Sequence, residues 1–123
     1  MLAADVMTRN PATVAPDVHV LQAMEDLTAA GVRRLPVVDH DGQLVGLVTE
    51  ADLASATPRA TTAISLYDLN YQLATLLVRD VMATQLVTIA HDAPIEQAAV
   101  LLEAHRISGL PVLQDGQLAG IVT

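Results

Sequence analysis

Thr49 and Asp52 are the two residues whose types and spacing best suit ligand chemistry. They stand at the start of a short predicted helix, residues 50–55, of which Thr49 is the expected N-cap. The N–H groups at such a helix end and the Thr49 hydroxyl suit a phosphate, and the Asp52 carboxylate can accept hydrogen bonds from two neighbouring hydroxyl groups. The neighbouring Arg33 and Arg34 can pair with a polyphosphate. Simpler interpretations stay open: Thr49 is only a cap, Asp52 only caps or bridges at the surface, and the arginines face solvent or a partner.

Other chemistries find no support in the residue types. The chain has no cysteine, which excludes disulfides, zinc–thiolate sites and thiol catalysis. Of the four histidines, only His40 has a metal-type neighbour, Asp41, and that pair is typical of a turn. There is no Gly-x-Ser-x-Gly, no Gly-rich phosphate loop with lysine, no Gly-x-Gly-x-x-Gly and no carboxylate pair in an apolar setting. We therefore expect no metal site and no enzyme.

Composition narrows the class of protein and its partners. The 123 residues are 52% hydrophobic and 16% charged, which indicates a folded chain with an aliphatic core. No apolar run approaches the ~20 residues of a membrane-spanning helix, and the first residues do not resemble a signal peptide. With a net charge of −8, no lysine and two aromatic residues, the chain lacks the basic patch and stacking platforms of nucleic-acid binders. We expect a cytoplasmic protein with no nucleic-acid or membrane partner.

The chain contains two copies of one pattern. Asp5-Val6-Met7 recurs as Asp80-Val81-Met82, at an offset of 75 residues. One residue is lost in a later turn, so Gly42-Gln43-Leu44 returns at an offset of 74 as Gly116-Gln117-Leu118. Two copies of this length predict a pseudo-symmetric pair of units rather than a solenoid.

Each copy predicts the order strand, helix, strand, strand, helix. The first strands are expected at residues 12–14 and 86–89, where β-branched residues cluster. Asp17 and Asp92 are the expected N-caps of the helices that follow. Gly31 is expected to end the first helix in a left-handed conformation, whereas Arg106 in the same place predicts a different ending for the second helix.

A β-hairpin follows each of these helices. Its turn is predicted at residues 39–42 in the first copy and at 114–116 in the second, where Asp-Gly pairs favour tight turns. Between the copies, Pro58 and several threonines predict a loop, and four leucines on one face predict a helix over residues 65–78. We divide the chain into unit 1 (residues 1–56), a linker with a helix (57–78) and unit 2 (79–123).

The repeated unit resembles a CBS domain, and two in tandem resemble a CBS pair, or Bateman module. Leu35-Pro36-Val37-Val38-Asp39 fits the family's apolar-Pro-Val-Val-Asp, and residues 42–52 fit its Gly-x-apolar-x-Gly-apolar-Val-Thr-x-x-Asp. Residues 106–112 and 116–123 repeat both stretches, so the resemblance covers nearly the whole chain. It implies the α+β class, with two pseudo-symmetric units packed together through their sheets.

The resemblance also implies two adenine-nucleotide clefts between the units, each built crosswise from both copies. The implied residues of the complete cleft, cleft A, are Thr49, Ala51, Asp52, Gln85, Val87, Ile107, Ser108, Gly109 and Pro111. Those of cleft B are Asn10, Ala12, Val32, Arg33, Arg34, Pro36 and Thr123. Cleft B is expected to be incomplete, because the chain stops at Thr123 before the Asp of its second motif.

A finer resemblance concerns the linker. Residues 65–73 resemble the linker of acetoin-utilisation-type CBS proteins, in which an ACT domain often follows the pair. We therefore expect a truncated unit 2, with an ACT or other domain beyond Thr123. The apolar, weakly charged helices predict a homodimer.

These features predict a regulatory module with no required cofactor. It would sense ATP, ADP, AMP or S-adenosylmethionine between the units and control an attached domain or partner, which requires a ligand that distinguishes two states. The alternative is a purely structural dimerisation module that binds no ligand.

Overall fold

Two antiparallel β-hairpins form the framework of the fold. A computed structural model describes residues 1–56 and 74–123 of the chain. Strand β2 (Arg34–Val38) pairs with β3 (Leu44–Thr49), and β5 (Leu110–Gln114) pairs with β6 (Gln117–Val122). The Asp39 carboxylate accepts hydrogen bonds from two N–H groups of the first turn, and Asp115 and Gly116 adopt positive φ in the second. Both predicted turns are confirmed.

The two long helices begin later than predicted. Helix α2 (Val20–Ala30) has His19 as its N-cap, and the second long helix (Ile95–His105) has Pro94. The predictions of Asp17 and Asp92 as caps are therefore wrong. Asp17 and Asp92 lie in turns before the helices, and carbonyls next to them accept hydrogen bonds from a distant segment, as in Val78 N–H to Val18 and Ala3 N–H to Ala93.

The C-terminal ends of these helices are alike. Gly31 ends α2 with φ of 67°, as predicted, and Arg106 ends the second long helix with φ of 52°. The prediction that the second ending would differ is wrong. A non-glycine residue tolerates this conformation here because the Arg106 N–H still bonds to the last helical carbonyls, which satisfies groups that the helix end leaves open.

The first strand of each copy is shorter than predicted. Residues 12–14 contribute a single bridge, in which Val14 pairs in parallel with Val37. In the second copy β4 (Ile89–Ala90) pairs in parallel with β5, so the strand begins at the end of the predicted range 86–89. Helix α3 (Glu50–Ala56) follows β3 with Thr49 as its cap, as predicted.

The beginning of each copy packs on the other copy. Helix α1 (Ala3–Val6) is followed by strand β1 (Thr8–Arg9). Strand β1 pairs with the edge of β6, which gives a sheet of order β1-β6-β5-β4. Helix α4 (Val78–Val81) leads Ala83 to β3, where it pairs with Leu47. The long helix after it is α5 (Ile95–His105). Each sheet is therefore completed by a segment of the opposite copy.

The hydrophobic cores follow this exchange. The first core is built from α2, β2, β3 and α3 together with Val78 of α4. The second core is built from β4, α5, β5 and β6 together with Ala3 and Met7. The architecture is that of an α+β protein with two pseudo-symmetric units, as the sequence predicts.

The predicted linker lies largely outside the described residues. The loop at 57–62 and most of the helix predicted over 65–78 fall there, and the division into units at 56 and 79 stays a prediction. Within the part of the chain that the structure describes, no helix is long and apolar enough to span a bilayer.

Candidate functional site

A cavity of about 350 Å³ lies between the two units. It is enclosed by the end of β3, the segment that leads from α4 toward β4, and the loop between α5 and β5. The described residues that line it are Arg34, Leu47, Thr49, Ala83, Gln85, Leu86, Val87, Arg106, Ile107, Ser108 and Gly109. This cavity corresponds to cleft A.

A second cavity, of about 270 Å³, corresponds to cleft B. Its described lining residues are Thr8, Asn10, Pro11, Ala12, Ala30, Val32, Arg34, Ile121 and Thr123. Apart from Ala30, each of them has its repeat counterpart among the residues that line cleft A, at offsets of 75 or 74. The internal repeat thus produces two related cavities.

The structure brings most of the predicted site residues to these cavities. Those at cleft A are Thr49, Gln85, Val87, Ile107, Ser108 and Gly109, and those at cleft B are Asn10, Ala12, Val32, Arg34 and Thr123. Five predicted residues lie outside these linings: Ala51 is exposed on α3, Arg33 is exposed before β2, Pro36 and Pro111 are buried inside their strands, and the fifth is Asp52. Asp52 is half-buried.

Thr49 and Asp52 form a reciprocal cap at the start of α3. The Thr49 N–H donates to Asp52 Oδ2 at 3.0 Å, and the Asp52 N–H donates to Thr49 Oγ at 3.1 Å. This is the capping-box arrangement, which supports the simpler interpretation of both residues as caps. The Thr49 hydroxyl proton is not used as a donor in this pair, so it can still be donated into cleft A.

The charged side chains that line cleft A are both cationic. Arg34 and Arg106 line it, and no Asp, Glu or His is found among its described lining residues. Arg34 Nη2 donates to Ser108 Oγ across the two units. In a chain with a net charge of −8, two guanidinium groups at one cavity favour an anionic ligand.

Sequence reasoning missed several lining residues. Leu47 could have been found, because it lies two positions before Thr49 on the same strand and so shares its face. Arg106 was assigned only a structural place at the helix end. Arg34 was predicted for cleft B, and no local pattern indicates that its side chain also reaches cleft A.

The histidines offer no metal centre within residues 1–56 and 74–123. No group of three or more potential ligands comes together there. His40 Nε2 lies 3.6 Å from Asp41 Oδ1, but both side chains are highly exposed in the turn, as the sequence suggests.

The chain belongs to the CBS domain family. The family model described as CBS domain matches residues 3–59 and 78–123, which are the two copies of the repeat. Among curated proteins, a CBS domain-containing protein of Dictyostelium discoideum is 35% identical over all of this chain and 86% of its own length. The L-aspartate semialdehyde sulfurtransferase of Methanocaldococcus jannaschii is 28% identical over 99% of this chain, which spans 21% of that enzyme.

Solved structures agree with this assignment. A putative acetoin utilization protein from Vibrio cholerae superimposes with a TM-score of 0.83 at 27% identity, over all of this chain and 84% of that one. The predicted resemblance to acetoin-utilisation proteins is therefore confirmed. The CBS pair of protein MJ0100, in complex with 5′-methylthioadenosine and S-adenosyl-L-methionine, superimposes with a TM-score of 0.80 at 27% identity. The match covers 100% of this chain and 89% of that one. CBSX2 in complex with AMP superimposes with a TM-score of 0.81 at 30% identity, over 99% of this chain and 89% of that one.

Proposed function

We propose that this CBS pair is a regulatory module that binds an adenosyl ligand in cleft A. The observation that carries the proposal is the cavity of about 350 Å³, lined by both units and containing two arginines. Leu47, Val87 and Ile107 supply apolar surface for a base, and the arginines supply charge for a phosphate. Similar CBS pairs bind AMP, 5′-methylthioadenosine or S-adenosylmethionine, so these and ATP or ADP are the candidate ligands.

The ligand acts by changing the geometry of the pair. Cleft A is lined by residues of both units, so a bound molecule favours the arrangement that closes around it. The module would pass this change to an attached domain, such as an ACT domain, or to a partner protein. We infer binding rather than catalysis because the described lining of cleft A contains no carboxylate or imidazole to act as a general base.

A second candidate function is dimerisation without a ligand. It is favoured by exposed apolar side chains on the long helices, such as Val100 at 64% and Leu21 at 45% exposure. A homodimer through these helices is compatible with both functions. We place the module in the cytoplasm because the 123 residues contain no cysteine and so have no disulfides of the kind that stabilise secreted domains.

Thermal unfolding in the presence of AMP, ATP, ADP, S-adenosylmethionine and 5′-methylthioadenosine tests the proposal. A ligand at one hundred times its dissociation constant stabilises the fold by about 2.7 kcal/mol, which corresponds to roughly 10 °C for a chain of this size. Gln85→Trp, at an exposed lining position, should block cleft A and reduce the shift. Gln97→Trp, on the exposed side of α5, is the matched control and should keep it.

Two outcomes would contradict the proposal. A shift in Gln85→Trp as large as that of the wild type would place the site outside cleft A. No shift of the wild-type protein with any of these ligands would favour the structural module.

A further inference from the structure

Arg34 lies between the two clefts and lines both of them. Its Nη2 donates to the Ser108 hydroxyl, and a Cβ built on Gly109 would lie 2.8 Å from its Nη1. The guanidinium therefore occupies the space that a side chain at residue 109 would need. This arrangement carries the positive charge of one copy into the cleft formed by the loop of the other.

The repeat makes Arg34 an asymmetric feature of the pair. Its counterpart, 75 residues later, is Gly109, which has no side chain to offer in return. Cleft A has Arg106 as a further cation, whereas Arg34 is the sole charged side chain among the described residues that line cleft B. Two related cavities thus share one guanidinium.

From this geometry we infer that phosphate-bearing ligands bind the two clefts with negative coupling, because they compete for Arg34. A guanidinium donates two parallel hydrogen bonds to one phosphate in a fixed geometry. A phosphate in cleft A holds Arg34 near Ser108, and a phosphate in cleft B draws it away. Linkage is reciprocal, so each anion weakens the other by the same factor. The inference rests on the proposed adenosyl-binding function and adds to it a regulatory relation between the clefts.

An uncharged ligand provides the internal comparison. Adenosine has the same base and ribose as AMP but no phosphate for Arg34 to contact. Its occupancy of one cleft should therefore leave the other unaffected, so the coupling is a property of the phosphate and not of cavity filling alone.

Isothermal titration of the 123-residue chain with AMP and with adenosine tests the inference. Two variants give the affinity of each cleft alone. Val32→Trp blocks cleft B and reports cleft A, and Gln85→Trp blocks cleft A and reports cleft B. In the wild type the second AMP should bind about 5- to 150-fold more weakly than AMP binds to the same cleft in the variant whose other cleft is blocked. This is the usual range for coupled sites. Adenosine should follow the sum of the two single-cleft titrations.

Charge variants assign the coupling to Arg34. Arg34→Gln should bind AMP more weakly and without coupling, while Arg79→Gln, an exposed arginine of α4 outside both clefts, should keep it. Wild-type AMP binding equal to the sum of the single-cleft titrations would overturn the inference and leave the proposed function intact. Coupling that survives in Arg34→Gln, or a Gln85→Trp variant that binds no AMP, would also overturn it. Binding of neither ligand by the wild type would refute the proposed function and this inference with it.

Discussion

Gly120→Ala should destabilise the protein by disrupting the contact between the exchanged strand β1 and strand β6. A Cβ at this position would lie 2.6 Å from the Thr8 carbonyl oxygen and 2.7 Å from Met7 Sδ. Ordinary contacts begin near 3.4 Å, so the backbone of β1 would have to retreat by about 0.8 Å. Thr8 and Arg9 pair directly with Ile121 and Gly120, so this shift acts on the strand pairing itself.

The size of the effect follows from two opposing terms. Overpacking against a neighbour that cannot move freely costs about 1–3 kcal/mol. Replacing glycine by alanine at an ordinary φ returns about 0.4–1 kcal/mol by restricting the unfolded chain. We therefore expect a net loss of about 1–2 kcal/mol in the free energy of unfolding. With a typical slope for urea, the midpoint should fall by roughly 1 M.

Urea unfolding followed by far-UV circular dichroism measures this change. Gly109→Ala is the matched control, because its close neighbour is the flexible end of Arg34 and not backbone. Its free energy of unfolding should stay within about 0.5 kcal/mol of the wild type. A Gly120→Ala variant as stable as the wild type would refute the reasoning, since β1 would then not depend on close approach to β6.

Two further predictions concern the site and the assembly. Asp52→Ala should lower the free energy of unfolding by about 1 kcal/mol, because the α3 cap is lost. Asp52→Asn keeps an acceptor for the Thr49 N–H, so its free energy of unfolding should fall by less than half of that amount. If the carboxylate also binds a ribose, both variants lose AMP affinity about 10-fold or more in calorimetry, and unchanged affinity in Asp52→Asn would restrict the residue to capping. Val100→Glu should convert a dimer to a monomer in light scattering. Gln114→Glu, at the exposed end of β5, is the control, and a wild type that is already monomeric would contradict the dimer.

The resemblance to a CBS pair implies the two clefts, and the repeat carries that resemblance in both units. A second copy of the Leu-Pro-Val stretch and of the Gly-x-apolar hairpin fixes equivalent positions in the two units. Residues 85, 87 and 107–109, which the resemblance implies for cleft A, line that cavity. Local patterns suffice here because the hairpin turns and the helix that follows β3 are set by residues close in the chain.

The exchange between the units left no local signal in the sequence. Ala3 and Met7 are apolar residues near the start of the chain, and nothing in their spacing indicates that they pack in the core of the second copy. The same pairing explains why Asp17 is not the N-cap of α2. The residues after Asp17 form hydrogen bonds with the segment around Val78 and cannot enter the helix. Long-range backbone pairing therefore overrode local capping preference.

The exchange also bears on how a ligand could act through the pair. Ala83 pairs with Leu47 of the first unit, while Gln85 and Val87 of the same segment line cleft A beside the loop of the second unit. A molecule bound there contacts elements that are anchored in both cores. A single repeat therefore has neither a complete core nor a complete cleft, and both units are needed to hold a ligand in cleft A.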